Sequence, residues 1–216
     1  MTLQAQLLVL AKEPLPGRAK TRLSPALSAT AAAAVARACL CDTLAAVAQV
    51  DVLRRTVVLD GAPGSWLPAG VGVLPQVSGD LGARLDGAFR DACAVLGVPA
   101  LLIGMDTPQV TPELLAAAVH LLLTGDRPVL GLAEDGGWWA LGLPAPLPGA
   151  FAGIPMSTAA AGAAQSVRLT ALGQSPLALP VLRDVDLVDD LLAVAPLLPR
   201  GSALGAQVTR LGLVAA

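Results

Sequence analysis

Short apolar runs alternate with longer helix-like stretches along this chain, and that alternation restricts its fold more than any other feature. It argues for βαβ units on a mostly parallel sheet. Gln6–Leu10 reads as the first strand, apolar on both faces as a buried parallel strand is. Ser24-Pro25 then offers an N-cap and a first-turn proline for an Ala-rich helix reaching about Val50. Strands follow over Arg55–Asp60 and, more briefly, Val71–Gln76, with the Gly61-Ala62-Pro63-Gly64 turn between them. Gly79-Asp80-Leu81-Gly82 opens a second helix to about Leu96, and Pro99–Gly104 forms a central strand. Thr111-Pro112-Glu113 caps a third helix, which Gly125 stops. Arg127–Ala133 runs through Glu134-Asp135-Gly136-Gly137 into Trp138–Leu143, a returning antiparallel strand. Thr158–Leu172 is helical, Leu179–Leu182 a short strand and Leu187–Ala195 a final helix, and the tail after Pro199 reads as weakly structured. At 216 residues the chain fits one domain, 1–216.

Composition excludes several function classes. Hydrophobic residues make up 55% of the chain, much of it alanine, yet no membrane span is expected. The longest charge-free stretch, Gly136–Val167, is broken by Pro144, Pro146, Pro148 and Pro155. No Lys or Arg precedes Lys12, so the charged flank of a signal peptide is missing and a cytoplasmic location is expected. A formal charge of −2 argues against a general nucleic-acid binder. Cys39, Cys41 and Cys93 form no Cys-x-x-Cys pair and read as small hydrophobes in a reducing compartment. His120, the only histidine, has nothing beside it that suggests a catalytic pair. The apolar content leaves room for a homodimer.

Anion chemistry concentrates in Ala11–Leu23. Lys12, Arg18, Lys20 and Arg22 sit on a Pro/Gly loop between the first strand and the first helix, and Lys12 and Lys20 are the only lysines in the chain. A lysine is a compact point charge with rotatable donors, which suits a phosphate. In open α/β sheets ligands bind beyond the carboxyl ends of the strands. This basic loop, Asp106, Glu134-Asp135 and Asp184-Val185-Asp186 all fall at such ends. Cations and spaced carboxylates together suit a metal–nucleotide diphosphate. Asp184 and Asp186 could instead be N-caps of the last helix, and Asp135 a turn residue. On a strand Trp138 and Trp139 point to opposite faces, so one can reach the core while the other borders a pocket. Neither the P-loop spacing nor a Gly-x-Gly-x-x-Gly after strand one is present.

Ala11-Lys12-x-Pro14-x-Pro16-Gly17-x-x-Lys20-Thr21-Arg22-Leu23, Gly104-x-Asp106-x-Pro108 and Glu134-Asp135-Gly136-Gly137-Trp138-Trp139 resemble a bacterial glycosyltransferase-like family. That family includes arsenosugar-biosynthesis glycosyltransferases. Gly79-Asp80-Leu81-Gly82-x-Arg84-Leu85, Gly153-Ile154-Pro155-x-Ser157-Thr158 and Asp184-Val185-Asp186 extend the resemblance, in family order, over nearly the whole chain. The chain departs from the family pattern at Trp138, Met156 and Leu187-Val188.

The resemblance implies a GT-A fold, the nucleotide-diphospho-sugar transferase form of a three-layer α/β/α sandwich with a mostly parallel mixed sheet. Its nucleotide-binding part would span about 1–110 and its acceptor side about 111–198. Lys12, Pro14, Gly17, Lys20, Arg22 and Arg84 would bind the nucleotide, and Asp106 and Asp186 a Mg²⁺ or Mn²⁺ ion. Glu134, Gly136, Gly137, Trp138 and Ser157 would line the acceptor or sugar pocket, with Asp135 orienting or deprotonating the acceptor.

The first expectation is a metal-dependent glycosyltransferase using a nucleotide-sugar and a small-molecule acceptor. The second is a nucleotidyltransferase that joins an NMP from an NTP to a phosphorylated small molecule and expels pyrophosphate. The third is a nucleotide-binding module without turnover.

Overall fold

A computed structural model of the chain describes residues 1–213. Seven strands form one mixed sheet in the order β3-β2-β1-β4-β6-β5-β7. They are β1 (Leu3–Lys12), β2 (Val52–Asp60), β3 (Gly72–Pro75), β4 (Ala100–Gly104), β5 (Val129–Ala133), β6 (Trp138–Leu143) and β7 (Leu177–Leu182). Only β6 runs against its neighbours, pairing antiparallel with both β4 and β5. The loops after β1, β4, β5 and β7 and the start of β6 therefore meet at one edge of the sheet.

Helices cover both faces. The helices are α1 (Ala29–Gln49), α2 (Leu81–Val95), α3 (Pro112–Gly125), α4 (Ala161–Ala171), α5 (Val188–Val194) and α6 (Ala203–Arg210). Alternation along β1 sends Leu7 and Val9 to a core shared with Leu40 and Leu44 of α1 and Leu115 and Val119 of α3. Leu8 faces the other way, toward Leu85 and Phe89 of α2 and Leu169 of α4. This is the three-layer α/β/α sandwich.

One helix among the described residues, α1, is long and apolar enough to cross a membrane, but most of it is buried within the fold. Its outward side packs Val35 and Cys39 against Leu191 and Val194 of α5 and Leu204 and Val208 of α6. A helix covered on both sides has no polar stripe to show, which explains its nearly uniform alanine-rich sequence.

Three local expectations change. Ser28, not Ser24, caps α1, its Oγ accepting from the Ala31 N–H at 3.2 Å, because a separate 3-10 turn (Thr21–Leu23) comes first. Helix α3 runs through Gly125, and the left-handed residue that ends it is Asp126, with φ of 47°. The tail after Pro199 is structured up to Leu213: the Asp42 carboxylate on α1 accepts from the Ala203 and Leu204 N–H groups at 2.7 and 2.8 Å, bracing the start of α6. Ser202 is the local N-cap, its Oγ accepting from the Gly205 N–H at 3.1 Å, and the local pattern gives no hint of the added brace from Asp42.

Candidate active site

The cationic side of the site is a loop whose ends are buried. Beyond Lys12 the chain turns through Gly17, with φ of +76°, and packs Ala19 and Leu23 into the interior. Lys20 between them is also left-handed, with φ of 52°, a conformation that non-glycine residues seldom adopt. Its side chain is 4% exposed, and its Nζ lies 2.6 Å from Asp106 Oδ1 and 2.9 Å from Asp186 Oδ1. Burial works against this charge, but Asp106 and Asp186 more than offset it, holding the ammonium above the ordinary lysine range. Arg22 reaches the other oxygen of Asp186 at 3.0 Å. Arg18 and Arg84 share the carboxylate of Asp60, at 3.3 and 3.4 Å, tying the loop to α2. Exposed Lys12 forms no ion pair among the described residues. Burial beside Lys20 pushes the Cys39 thiol up to about 12, with the lysine only partly opposing, so this cysteine is unreactive.

The carboxylate side is assembled from three loops cross-tied through the main chain. The Val185 N–H donates to the Asp106 carbonyl at 2.8 Å, and Gln109 Nε2 to the Arg183 carbonyl at 2.7 Å. Glu134 N–H donates to the Leu182 carbonyl at 2.9 Å, joining the loop after β5 to the same network. Asp190 Oδ2 accepts from the N–H groups of Asp186 and Leu187 at 3.0 and 2.7 Å. Leu187 is the N-cap of α5, and Asp190 in the first turn bonds back to its N–H, so the alternative reading of Asp184 and Asp186 as N-caps is overturned. Asp186 is spent on Lys20 and Arg22 instead. Burial raises its carboxyl, but Lys20 and Arg22 outweigh that and leave it below the usual range. Asp184 goes the other way: burial first, then Asp106 and Asp135, push it up to about 7.

Asp135 and its glycines make a tight corner. Asp135 Oδ1 accepts from the Gly137 N–H at 2.8 Å, leaving its second oxygen without this constraint. Gly136 has φ of +87°, and a Cβ there would lie 2.1 Å from the Ala159 carbonyl oxygen, so no other residue fits. Trp139 is buried and donates its Nε1–H to the Pro180 carbonyl at 3.0 Å. Trp138, on the opposite face, is half-buried against the α2 side of the core.

These parts enclose one cleft of about 850 Å³. Lys12, Lys20, Arg22, Arg84, Asp106, Asp186, Asp135, Gly137, Trp138 and Ser157 line it. Pro14, Gly17, Glu134 and Gly136 do not: Pro14 and Gly17 shape the loop, Gly136 packs on Ala159, and Glu134 pairs with Arg183 at 2.6 Å. Sequence reasoning noticed Asp184 but gave it no role of its own, and missed Gln76. Gln76 lines the cleft and is fixed by donating Nε2–H to the Ala11 and Val58 carbonyls at 2.9 and 3.0 Å. Its position directly after β3 was the available clue.

The donor set suits a hard divalent ion. Asp106 and Asp186 meet at one ammonium nitrogen, and Asp184, raised first by burial and then by Asp106 and Asp135, lies beside the same carboxylates. No group of three or more acidic, histidine or cysteine side chains forms a closed cage among the described residues. Mg²⁺ does not need one, since it takes one or two carboxylates and completes its shell with phosphate oxygens and water.

Sheet order, antiparallel β6 and a cleft at the carboxyl edge define the class: this is the fold of nucleotide-diphospho-sugar transferases and cytidylyltransferases. A Desulfovibrio desulfuricans G20 protein provisionally described as a nucleotide-diphospho-sugar transferase superposes with a TM-score of 0.86 at 24% identity, covering 99% of this chain and 96% of that one. A cytidylyltransferase from Leptospira borgpetersenii serovar Hardjo-bovis (strain JB197) matches at 0.54 and 13% identity, over 98% and 94% of the two chains. Rv0371c from Mycobacterium tuberculosis H37Rv, in complex with manganese, matches at 0.51 and 23% identity, over 88% and 96%. No curated protein matches the chain. Residues 27–158 match the family described as "Uncharacterized protein conserved in bacteria (DUF2064)", and the chain belongs to that family.

Proposed function

We propose that the protein is a metal-dependent glycosyltransferase that moves a sugar from a nucleotide-diphosphate sugar to a small hydroxyl-bearing acceptor. One observation carries this reading: Lys20, Asp106, Asp186 and Asp135 line a single cleft at the carboxyl edge of the sheet. The part up to about residue 110 supplies the nucleotide side, and about 111–198 the acceptor side. Lys12, Arg22 and Arg84 supply positive charge along the cleft, with Lys20 at its floor. Asp106 and Asp186 would hold Mg²⁺ or Mn²⁺, consistent with the manganese in Rv0371c. When bound, that ion would neutralise charge on the departing nucleotide diphosphate. Asp135, with one oxygen fixed on Gly137, turns the other to the acceptor hydroxyl, orients it and takes its proton as the oxygen bonds to the sugar. The products are the glycosylated acceptor, the nucleotide diphosphate and that proton.

A nucleotidyltransferase is the second reading. It is favoured by the five cationic side chains around the cleft, which match the larger charge of a triphosphate, and by the cytidylyltransferase likeness. Product analysis separates the two. Nucleotide-sugars with Mn²⁺ should release nucleotide diphosphate under the first reading, whereas an NTP with a phosphorylated acid should release pyrophosphate under the second. Asp106→Ala should lower whichever turnover is found by at least roughly 100-fold. Unchanged turnover in that variant removes the metal role assigned to Asp106.

A further inference from the structure

The two lysines of the chain line the same cleft in opposite circumstances. Lys12 is exposed and in no ion pair among the described residues, as a side chain waiting for an anion would be. Lys20 is 4% exposed, with its ammonium already on Asp106 and Asp186. It is held there by a left-handed backbone between the buried anchors Ala19 and Leu23. An ammonium has three donors, and the two carboxylates take two of them. The oxygens that bind it are those a hard divalent ion would use, so the two cations compete for one seat.

We propose that Lys20 is an internal stand-in for the divalent ion. In the metal-free protein its ammonium holds Asp106 and Asp186 together, and metal uptake displaces it from them. The released ammonium stays protonated and lies within the cleft, where it meets the substrate diphosphate. Without the stand-in, Asp106 and Asp186 would repel each other across the seat. With it, the metal-free site is already shaped for a cation, and metal arrival frees a phosphate-binding charge. Metal and nucleotide therefore reinforce each other's binding. The destination of the ammonium rests on the nucleotide reading above, but the exchange itself does not.

The chain contains only two lysines, so amine-directed labelling read by mass spectrometry reports on the exchange with an internal control. In the metal-free protein Lys12 should label readily and Lys20 should be protected. Adding Mn²⁺ without nucleotide should raise the Lys20 rate about ten-fold and leave Lys12 unchanged. A Lys20 rate that stays the same or falls overturns the proposal. Lys20→Met gives a second arm: with the competing positive charge gone, nucleotide-free Mn²⁺ affinity followed by electron paramagnetic resonance should tighten about ten-fold. Equal or weaker affinity in Lys20→Met overturns the exchange, as does a lack of Mn²⁺ uptake by both proteins. The labelling arm uses the native chain and does not depend on the variant folding. Nucleotide is absent from both arms, so failure of the product assay on nucleotide-sugars leaves the exchange standing, and failure here leaves that assay to be judged alone.

Discussion

The two walls of the cleft are built by opposite means. Most of the cationic wall is one contiguous piece of chain, Lys12 to Arg22, shaped by left-handed Gly17 and Lys20 and pinned where Ala19 and Leu23 sink into the interior. The carboxylate wall has no contiguous piece. Asp106, Asp135, Asp184 and Asp186 come from three loops, joined by main-chain hydrogen bonds and by Gln109. Apolar burial therefore anchors the first wall, and hydrogen bonding together with the buried Val185 anchors the second. Burial raises both Asp184 and Asp186, and only at Asp186 do Lys20 and Arg22 of the first wall outweigh it.

Truncating the apolar anchor should break the contrast most strongly. Leu23 is 1% exposed and packs among α1, α5 and α6. Leu23→Ala should cost about 2–5 kcal/mol in urea unfolding. A cost under about 1 kcal/mol would show that burial does not pin the cationic wall.

The raised carboxyl of Asp184 should appear as a pH dependence in the metal-free protein. Asp184 rises from 3.8 to about 7, so between those values the folded chain keeps a proton that the unfolded chain has released. Its contribution therefore makes stability fall as pH rises from about 4 to about 7, and level off above. Allowing for its partial contact with solvent, the loss is on the order of 1–2 kcal/mol. Asp184→Asn should flatten that part of the curve in denaturation at several pH values. An unaltered slope would assign that pH dependence to another group.

The smallest effect is expected at Glu134, whose pair with Arg183 is exposed. Glu134→Ala should change stability by less than about 1 kcal/mol. If acceptor KM then rises while the melting temperature holds, Glu134 serves the acceptor as well as the loop. If neither moves, the pair is a surface tie.

The strand–helix alternation was legible because periodicity and Gly/Pro punctuation are local. So was the opposite facing of Trp138 and Trp139, which follows from strand geometry alone. Errors arose at helix starts. Ser24 looked like a cap, yet the chain turns again before Ser28. The tail looked loose although Ser202 caps its helix locally, and the brace from Asp42 lies 161 residues away in sequence. Asp186 looked like a helix cap, yet the N-cap is Leu187 and Asp186 is held by Lys20 and Arg22 instead.

By itself, the sequence determined the layered α/β class, the basic loop after β1 and the set of acidic residues at strand ends, because each is written in neighbouring residues. Only the tertiary structure decided that Lys20 would sit on Asp106 and Asp186 and not point outward like Lys12. That pairing joins residues up to 166 positions apart. Strand register and the burial of Leu23 choose it, and a buried ammonium has to find carboxylates where water cannot reach it.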